Sequence, residues 1–141
     1  MNRQTFLVFA IALLSPFVAV AQDKPNAAPA PQTAIARIWR GRTLASKADE
    51  YAHYLDANGI AKIRATPGNR GVTVLRRTDG DKAEFLVISI WDSIDAVKNF
   101  AGADYQKTVI LSRDREYLIE VEPDVLHYQI VREERSAAER R

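Results

Sequence analysis

The sequence predicts an α+β sandwich: four antiparallel strands in one sheet, with two helical layers on one of its faces. Three observations predict it. Across residues 34–131 the local patterns run strand, helix, strand, strand, helix, strand, the order of a ferredoxin-like split βαβ unit. The run Phe85-Leu86-Val87-Ile88-Ser89-Ile90-Trp91 is almost continuously apolar, as a central strand covered on both faces would be. Between it and the preceding strand lies Asp79-Gly80, a strong hairpin signal because the turn needs a residue tolerant of positive φ.

Each segment follows in order. Residues 1–21 read as a secretory leader cleaved after Ala21: Arg3 supplies the positive start, residues 6–14 an apolar run, and Ala19-Val20-Ala21 a small-residue cleavage site. Ser15-Pro16 interrupts that run, which falls short of the ~20 residues of a membrane span. Export to the periplasm or beyond the cell is the expectation. Residues 22–33 form a tether in which Pro25, Pro29 and Pro31 oppose helix and central strand alike. The domain occupies residues 34–131. Residues 132–141 mix Arg with Glu and read as a solvated helical tail.

Within the domain, residues 35–40 read as a strand carrying Ile38 and Trp39. Ser46 stands where an N-cap is needed, and Ala48, Tyr51, Ala52 and Leu55 share one face of the helix that follows. Asn58-Gly59 interrupts that helix, which resumes to residue 64 and ends in the turn Thr66-Pro67-Gly68-Asn69. Strands at 72–77 and 84–91 flank the hairpin. Ser93 caps a helix carrying Ile94, Val97 and Phe100, and a further helix is expected from Asp104 through Ile110 toward Tyr117. A strand at 125–131 closes the sheet. Ala36, Ile38, Leu86, Ile88, Ile90, Leu126 and Ile130 then form an apolar sheet face with no helix of its own. A soluble monomer does not normally leave such a patch in water, so a homodimer packed sheet on sheet is the expected cover.

Composition narrows the function classes. The chain has 141 residues, a formal net charge of +2 and no cysteine, which removes disulfides, thiolate metal sites and a cysteine nucleophile together. Loss of the leader removes Arg3 and leaves a nearly neutral chain without the clustered basic surface of a nucleic-acid binder. After cleavage no remaining run is long and apolar enough for a membrane partner. Two histidines without neighbouring carboxylates at ligand spacing make no metal site. No glycine-rich phosphate loop or nucleophile elbow is present either. No cofactor is expected.

Residues 34–131 resemble the antibiotic biosynthesis monooxygenase family of the dimeric α/β-barrel superfamily. The resemblance rests on Ile35-Ala36-Arg37-Ile38-Trp39-Arg40-Gly41, on Pro67-Gly68-Asn69-Arg70-Gly71, on Trp91-Asp92-Ser93-Ile94-Asp95-Ala96-Val97 with Phe100, and on His127-Tyr128. It implies a homodimer with an apolar pocket between sheet and helices in each subunit. Members include cofactor-independent oxygenases of aromatic polyketides and quinols, and haem-degrading enzymes. The haem-degrading branch calls for an Asn on the first strand, then a Trp and a ligating His. This chain has no Asn in residues 34–40 and carries Phe100 and Ile110 at the other two places. The polyketide branch's Trp is matched by Trp91, while its two polar partners correspond to Val87 and Val97.

The candidate site residues follow from chemistry and strand parity. His127 is the candidate base, since an imidazole titrates near neutral pH. Arg37 and Trp39 share a face of the first strand and could hold an aromatic or anionic ligand by stacking and charge. Ser89 interrupts an apolar strand on the same face as Trp91, and both are candidates for the pocket wall. The expected function is binding of a small apolar or aromatic molecule, with cofactor-independent oxygenation of a quinol or polyphenol as its catalytic form. The alternative is a non-catalytic ligand-binding or stress-related module on the same fold.

Overall fold

Every other residue of the first strand is buried, and that alternation sets the architecture. The computed structural model describes residues 33–134. The leader, the tether through residue 32 and the tail from residue 135 lie outside the described residues, as do the expectations placed on them. Strand β1 (Ile35–Leu44) turns Ile35, Arg37, Trp39, Gly41 and Thr43 to one side, where all are buried. Strand β3 (Lys82–Trp91) does the same with Ala83, Phe85, Val87, Ser89 and Trp91. The two strands pair antiparallel with Ile35 opposite Trp91, Arg37 opposite Ser89 and Trp39 opposite Val87. Two period-2 patterns in phase therefore build one continuous buried face.

The sheet order is β2-β3-β1-β4, with β5 also on β1, and every pairing is antiparallel. Strand β2 (Asn69–Asp79) meets β3 through a hairpin in which Asp79 faces Lys82 and Gly80 takes φ +59°, the conformation the Asp-Gly pair predicts. Helices α1 (Ala48–Leu55), α2 (Ala61–Ala65) and α3 (Ile94–Ala101) cover the buried face. Ser93 caps α3 as expected, its hydroxyl accepting from the Ala96 amide at 3.2 Å. Trp91, Tyr51 and Phe85 are the largest fully buried side chains, and aromatics of this size bury ~150–250 Å² each. They dominate the core. The turn before β2 is locked by Gly68, at φ +87°, where an added Cβ would fall 2.5 Å from that of Ala96.

Four expectations change. Ser46 is not the cap of α1: it lies in a single 3-10 turn, Ala45–Lys47, because Ala45 is held to the hairpin by its amide bond to Asp81 O. Asn58-Gly59 does interrupt the α-helix, dividing α1 from α2, but by a π turn, Asp56–Ile60, rather than a break, with the Asn58 amide donating to Tyr54 O at 2.8 Å. Residues 104–113 form no helix. The β-branched Thr108, Val109 and Ile110 disfavour one, and backbone bonds from Thr108 N to Pro123 O and from Val125 N to Gln106 O hold the segment extended. Only α4 (Asp114–Tyr117) is helical there, and it leads into an unexpected strand, β4 (Leu118–Val121), so the sheet has five strands rather than four. The closing strand β5 (Leu126–Gln129) is correspondingly short.

The helix-free face is as apolar as predicted over one end of the sheet. Ala36, Ile38, Leu86, Ile88 and Ile90 are half-buried there, while Leu75, Leu126 and Tyr128 are exposed. Strand β3 is central, yet within one chain only its helix side is fully covered. The other end of this face is charged: Arg42 reaches Glu84 and Glu120, and Lys82 also reaches Glu120.

Candidate functional site

A cavity of about 40 Å³ lies between β1 and β3 on one side and α1, the π turn, α2, α3 and segment 104–114 on the other. Its middle is apolar, with Val87 from the sheet facing Leu55, Ile60 and Ile63 from the helices. Gly59 in the π turn brings the helical wall close: a Cβ there would meet Leu55 and Leu111 at 3.1 and 3.2 Å. The cavity has room for water and is far smaller than the ~300–1,000 Å³ of a site enclosing a drug-sized ligand. An aromatic ligand must therefore displace part of the wall.

Polar groups sit at its two ends. At one end Arg37 is 4% exposed. Its Nη2 donates to Lys107 O at 3.2 Å, and its guanidinium carbon lies 5.4 Å from the centre of the Phe100 ring. Burial pulls its pKa down to about 10. At the other end Tyr51 donates to Asp114 Oδ1 at 3.4 Å, and Asp114 Oδ2 accepts from the Leu111 amide at 2.7 Å. Burial pushes the Asp114 carboxyl up, against the pull of those two bonds. It raises the Tyr51 phenol as well.

Among the described residues, three buried side-chain nitrogens have no hydrogen-bond partner: Arg37 Nε, Trp39 Nε1 and His127 Nε2. They are neighbours in the sheet. Arg37 and Trp39 share the buried face of β1, and His127 on β5 stands directly opposite Arg37. Buried donors without partners are uncommon in folded proteins, because each forfeits its hydration. The imidazole of His127 meets the Tyr105 ring edge-on at 5.3 Å. Its pKa is lowered, first by burial and then by the charge of Arg37, and both causes favour the neutral imidazole.

Of the residues singled out in the sequence, Arg37 and Trp39 line the cavity together. His127 lies one strand aside, behind Arg37 rather than in the wall. Ser89 and Trp91 are outside the wall too: the Trp91 indole N–H donates to Ser89 Oγ at 2.9 Å, and Ser89 in turn donates to Arg37 O at 3.4 Å. Trp91 also packs against Phe100, with ring centres 5.7 Å apart. This pair backs the Arg37 end from beneath. Gly41 serves Trp39, whose indole lies so close over it that a Cβ would come within 2.5 Å. His53, on α1, is exposed and away from the cavity wall.

Sequence reasoning did not single out Tyr51 from the five tyrosines able to reach a pocket, and it missed Asp114 as a site residue. Tyr51 carried a signal, as the one polar-tipped side chain in the apolar stripe of α1. Asp114 carried none, since an aspartate within an expected helix reads as solvated. A second hollow near Arg40, Arg42, Glu120 and Glu122 is more open, but its charges already satisfy one another. No three His, Cys, Asp or Glu side chains among the described residues are grouped to hold a metal ion.

The family model described as antibiotic biosynthesis monooxygenase matches residues 35–110, more than half of the chain. No curated protein sequence matches it. Among solved structures, a candidate antibiotic biosynthesis monooxygenase from Bacillus cereus is 16% identical and superposes with a TM-score of 0.54 over 74% of this chain and 99% of its own. A protein of unknown function from Nitrosomonas europaea is also 16% identical, with a TM-score of 0.52 over 77% and 99% of the two chains. A cofactor-independent oxygenase from Streptomyces nogalater is 15% identical, with a TM-score of 0.50 over 72% and 96%. At these identities the structural likeness establishes the fold, and the sequence match the family. The chain belongs to the antibiotic biosynthesis monooxygenase family.

Proposed function

We propose that the protein binds a small apolar or aromatic molecule between its sheet and its helices, with the ligand's polar atoms turned toward Arg37 and Trp39. One observation carries this reading: two buried N–H donors without partners, Arg37 Nε and Trp39 Nε1, belong to residues in the wall of one cavity whose middle is apolar. A ligand oxygen would satisfy donors that the protein leaves unsatisfied. Aromatic walls from Trp39 and Phe100 suit a planar body. Export and a homodimer covering the apolar sheet face belong to the same proposal. Exposed Leu75, Leu126 and Tyr128 on that face support the second part.

For a quinol or polyphenol ligand the proposal extends to cofactor-independent oxygenation. There Arg37 would stabilise the phenolate oxyanion, and a neutral His127, which stands behind Arg37 outside the wall, would receive the proton through a bridging water. The second reading is a non-catalytic binding module, favoured by Val87, which stands in the cavity wall where the oxygenase resemblance calls for a polar partner. A thermal-shift screen of the mature chain against quinones, flavonoids, haem and fatty acids separates them, followed by oxygen uptake on each stabilising compound. Stabilisation with oxygen uptake that His127→Ala abolishes supports the enzyme, and stabilisation without uptake supports the binder. A screen with no stabilising compound contradicts both.

A further inference from the structure

We infer that the ligand of this site is a small aromatic anion, whose carboxylate or phenolate oxygen supplies the counter-charge that the buried Arg37 guanidinium lacks. This deepens the binding proposal and rests on it. Arg37 is 4% exposed, yet among the described residues no carboxylate reaches it within ion-pair distance. Its one hydrogen bond goes to a neutral backbone oxygen, that of Lys107, and Nε is left without a partner. A buried cation in that condition is expensive unless something negative joins it.

Asp114, the one carboxyl in the same wall, does not serve. Both its oxygens are engaged by Tyr51 and the Leu111 amide. It also lies at the far end. Tyr51 packs edge-on against Phe85, which faces Gly41, whereas Arg37 faces Ser89. Positions 37 and 41 of β1 are four residue steps apart, ~13 Å at the usual strand rise of ~3.3 Å.

The surroundings of Arg37 carry the same sign of charge. Lys62 Nζ stands over the Phe100 ring at 5.4 Å, so two cations contact one aromatic ring. Across the strand, the His127 imidazole is held neutral by burial and by Arg37 itself, and its Nε2 is unpaired. No negative group balances this end, and the cavity runs from it into apolar walls. An oxyanion at Arg37 joined to a planar apolar body along Trp39 and Val87 matches both halves. Charge-assisted bonds of guanidinium to oxyanion are the strong ones, and a neutral acceptor cannot replace them.

Two probes of one shape test this: 2-naphthoate and 2-naphthamide, titrated calorimetrically into the mature full chain at pH 7. The acid is expected to bind at least about tenfold more tightly than the amide, the difference between a charged and a neutral hydrogen-bonding partner. In Arg37→Met the preference should vanish, because the acid loses a charge-assisted bond and the amide only a neutral one, leaving the two within about threefold of each other. Arg37→Lys, which keeps the charge and loses the fork, should retain part of it. Equal binding of acid and amide to the wild-type chain overturns the anion inference and leaves the binding proposal standing. Failure of both probes to bind overturns both, and that comparison needs no variant to fold.

Discussion

Arg37 and Arg42 lie on the same strand and face opposite sides of it, and their surroundings are the reverse of what solvation alone would arrange. Arg42 is partly exposed, in reach of water, and still meets two carboxylates: Glu84 through Nε and Nη2 at 3.0 and 2.8 Å, and Glu120 through Nη1 at 2.8 Å. Arg37 is buried and meets none. The charged end of the helix-free face is thus a network within a single chain, in which Glu84 is shared by Arg40, Arg42 and Arg77, and Glu120 by Arg42 and Lys82. The buried end of the cavity is no such network. A fold selected for stability alone would place an apolar residue at position 37, since unpaired charge in a core lowers stability. The contrast is the reason for proposing that ligand binding centres on the buried arginine, while the exposed one has its carboxylate partners within the fold.

The largest expected effect tests what supports the buried end. Trp91 is fully buried and braces both Ser89 and Phe100. Trp91→Ala should lower unfolding free energy by about 3–5 kcal/mol in a denaturant titration, as for other large aromatics removed from a core. A loss below ~1 kcal/mol would mean that the Arg37 end is not backed as described. Next comes Ser89→Ala, which leaves the Trp91 indole N–H without its acceptor. It should cost about 1–3 kcal/mol by the same titration, the usual penalty for a buried donor left unpaired.

A smaller, pH-dependent effect separates His127 from the surface carboxylates. Its folded pKa lies below the ordinary 6.5 through burial and the nearby Arg37 charge, so the unfolded chain binds the proton more readily. Stability contributed by this residue is present above about pH 6.5 and is lost as pH falls through the folded value. Glu84 and Glu120, whose pKa values are lowered below 4.5 chiefly by bonds from Arg42 and Lys82 respectively, act at more acid pH. His127→Gln should flatten the stability profile just below about pH 6.5 and leave the steeper acid limb intact. An unchanged slope over that interval would contradict the burial assigned to the imidazole. The smallest effect is expected of Arg42→Ala: its ion pairs are solvent-screened, so the melting temperature should move little, and less still in high salt. A large shift would remove the contrast between the two arginines.

How far the sequence reached depends on what places each residue. Arg37, Trp39, Ser89, Trp91 and His127 were legible as one face of a sheet because strand parity is local and strict. Parity could not say how far along that face the cavity extends. Ser89 and Trp91 fall beyond it, beneath Phe100, where α3 crosses the sheet. Asp114 was hidden for a different reason. Its position depends on segment 104–113 running extended, and that follows from backbone bonds to residues 123 and 125 rather than from any local periodicity. The strand β4 was lost with it. The capping of α3 by Ser93 and the turn at Gly80, both decided within a few residues, came out as expected.

The most direct test of a functional Arg37 is the stability of Arg37→Met without ligand, by urea titration beside the wild-type chain at pH 7. If the guanidinium is held for a ligand, exchanging it for an apolar side chain of similar length should leave the unfolding free energy unchanged or raise it by up to about 2 kcal/mol. A loss of about 3–5 kcal/mol, the cost of breaking a satisfied buried pair, would show that Arg37 already has its partner within the fold and would contradict the account.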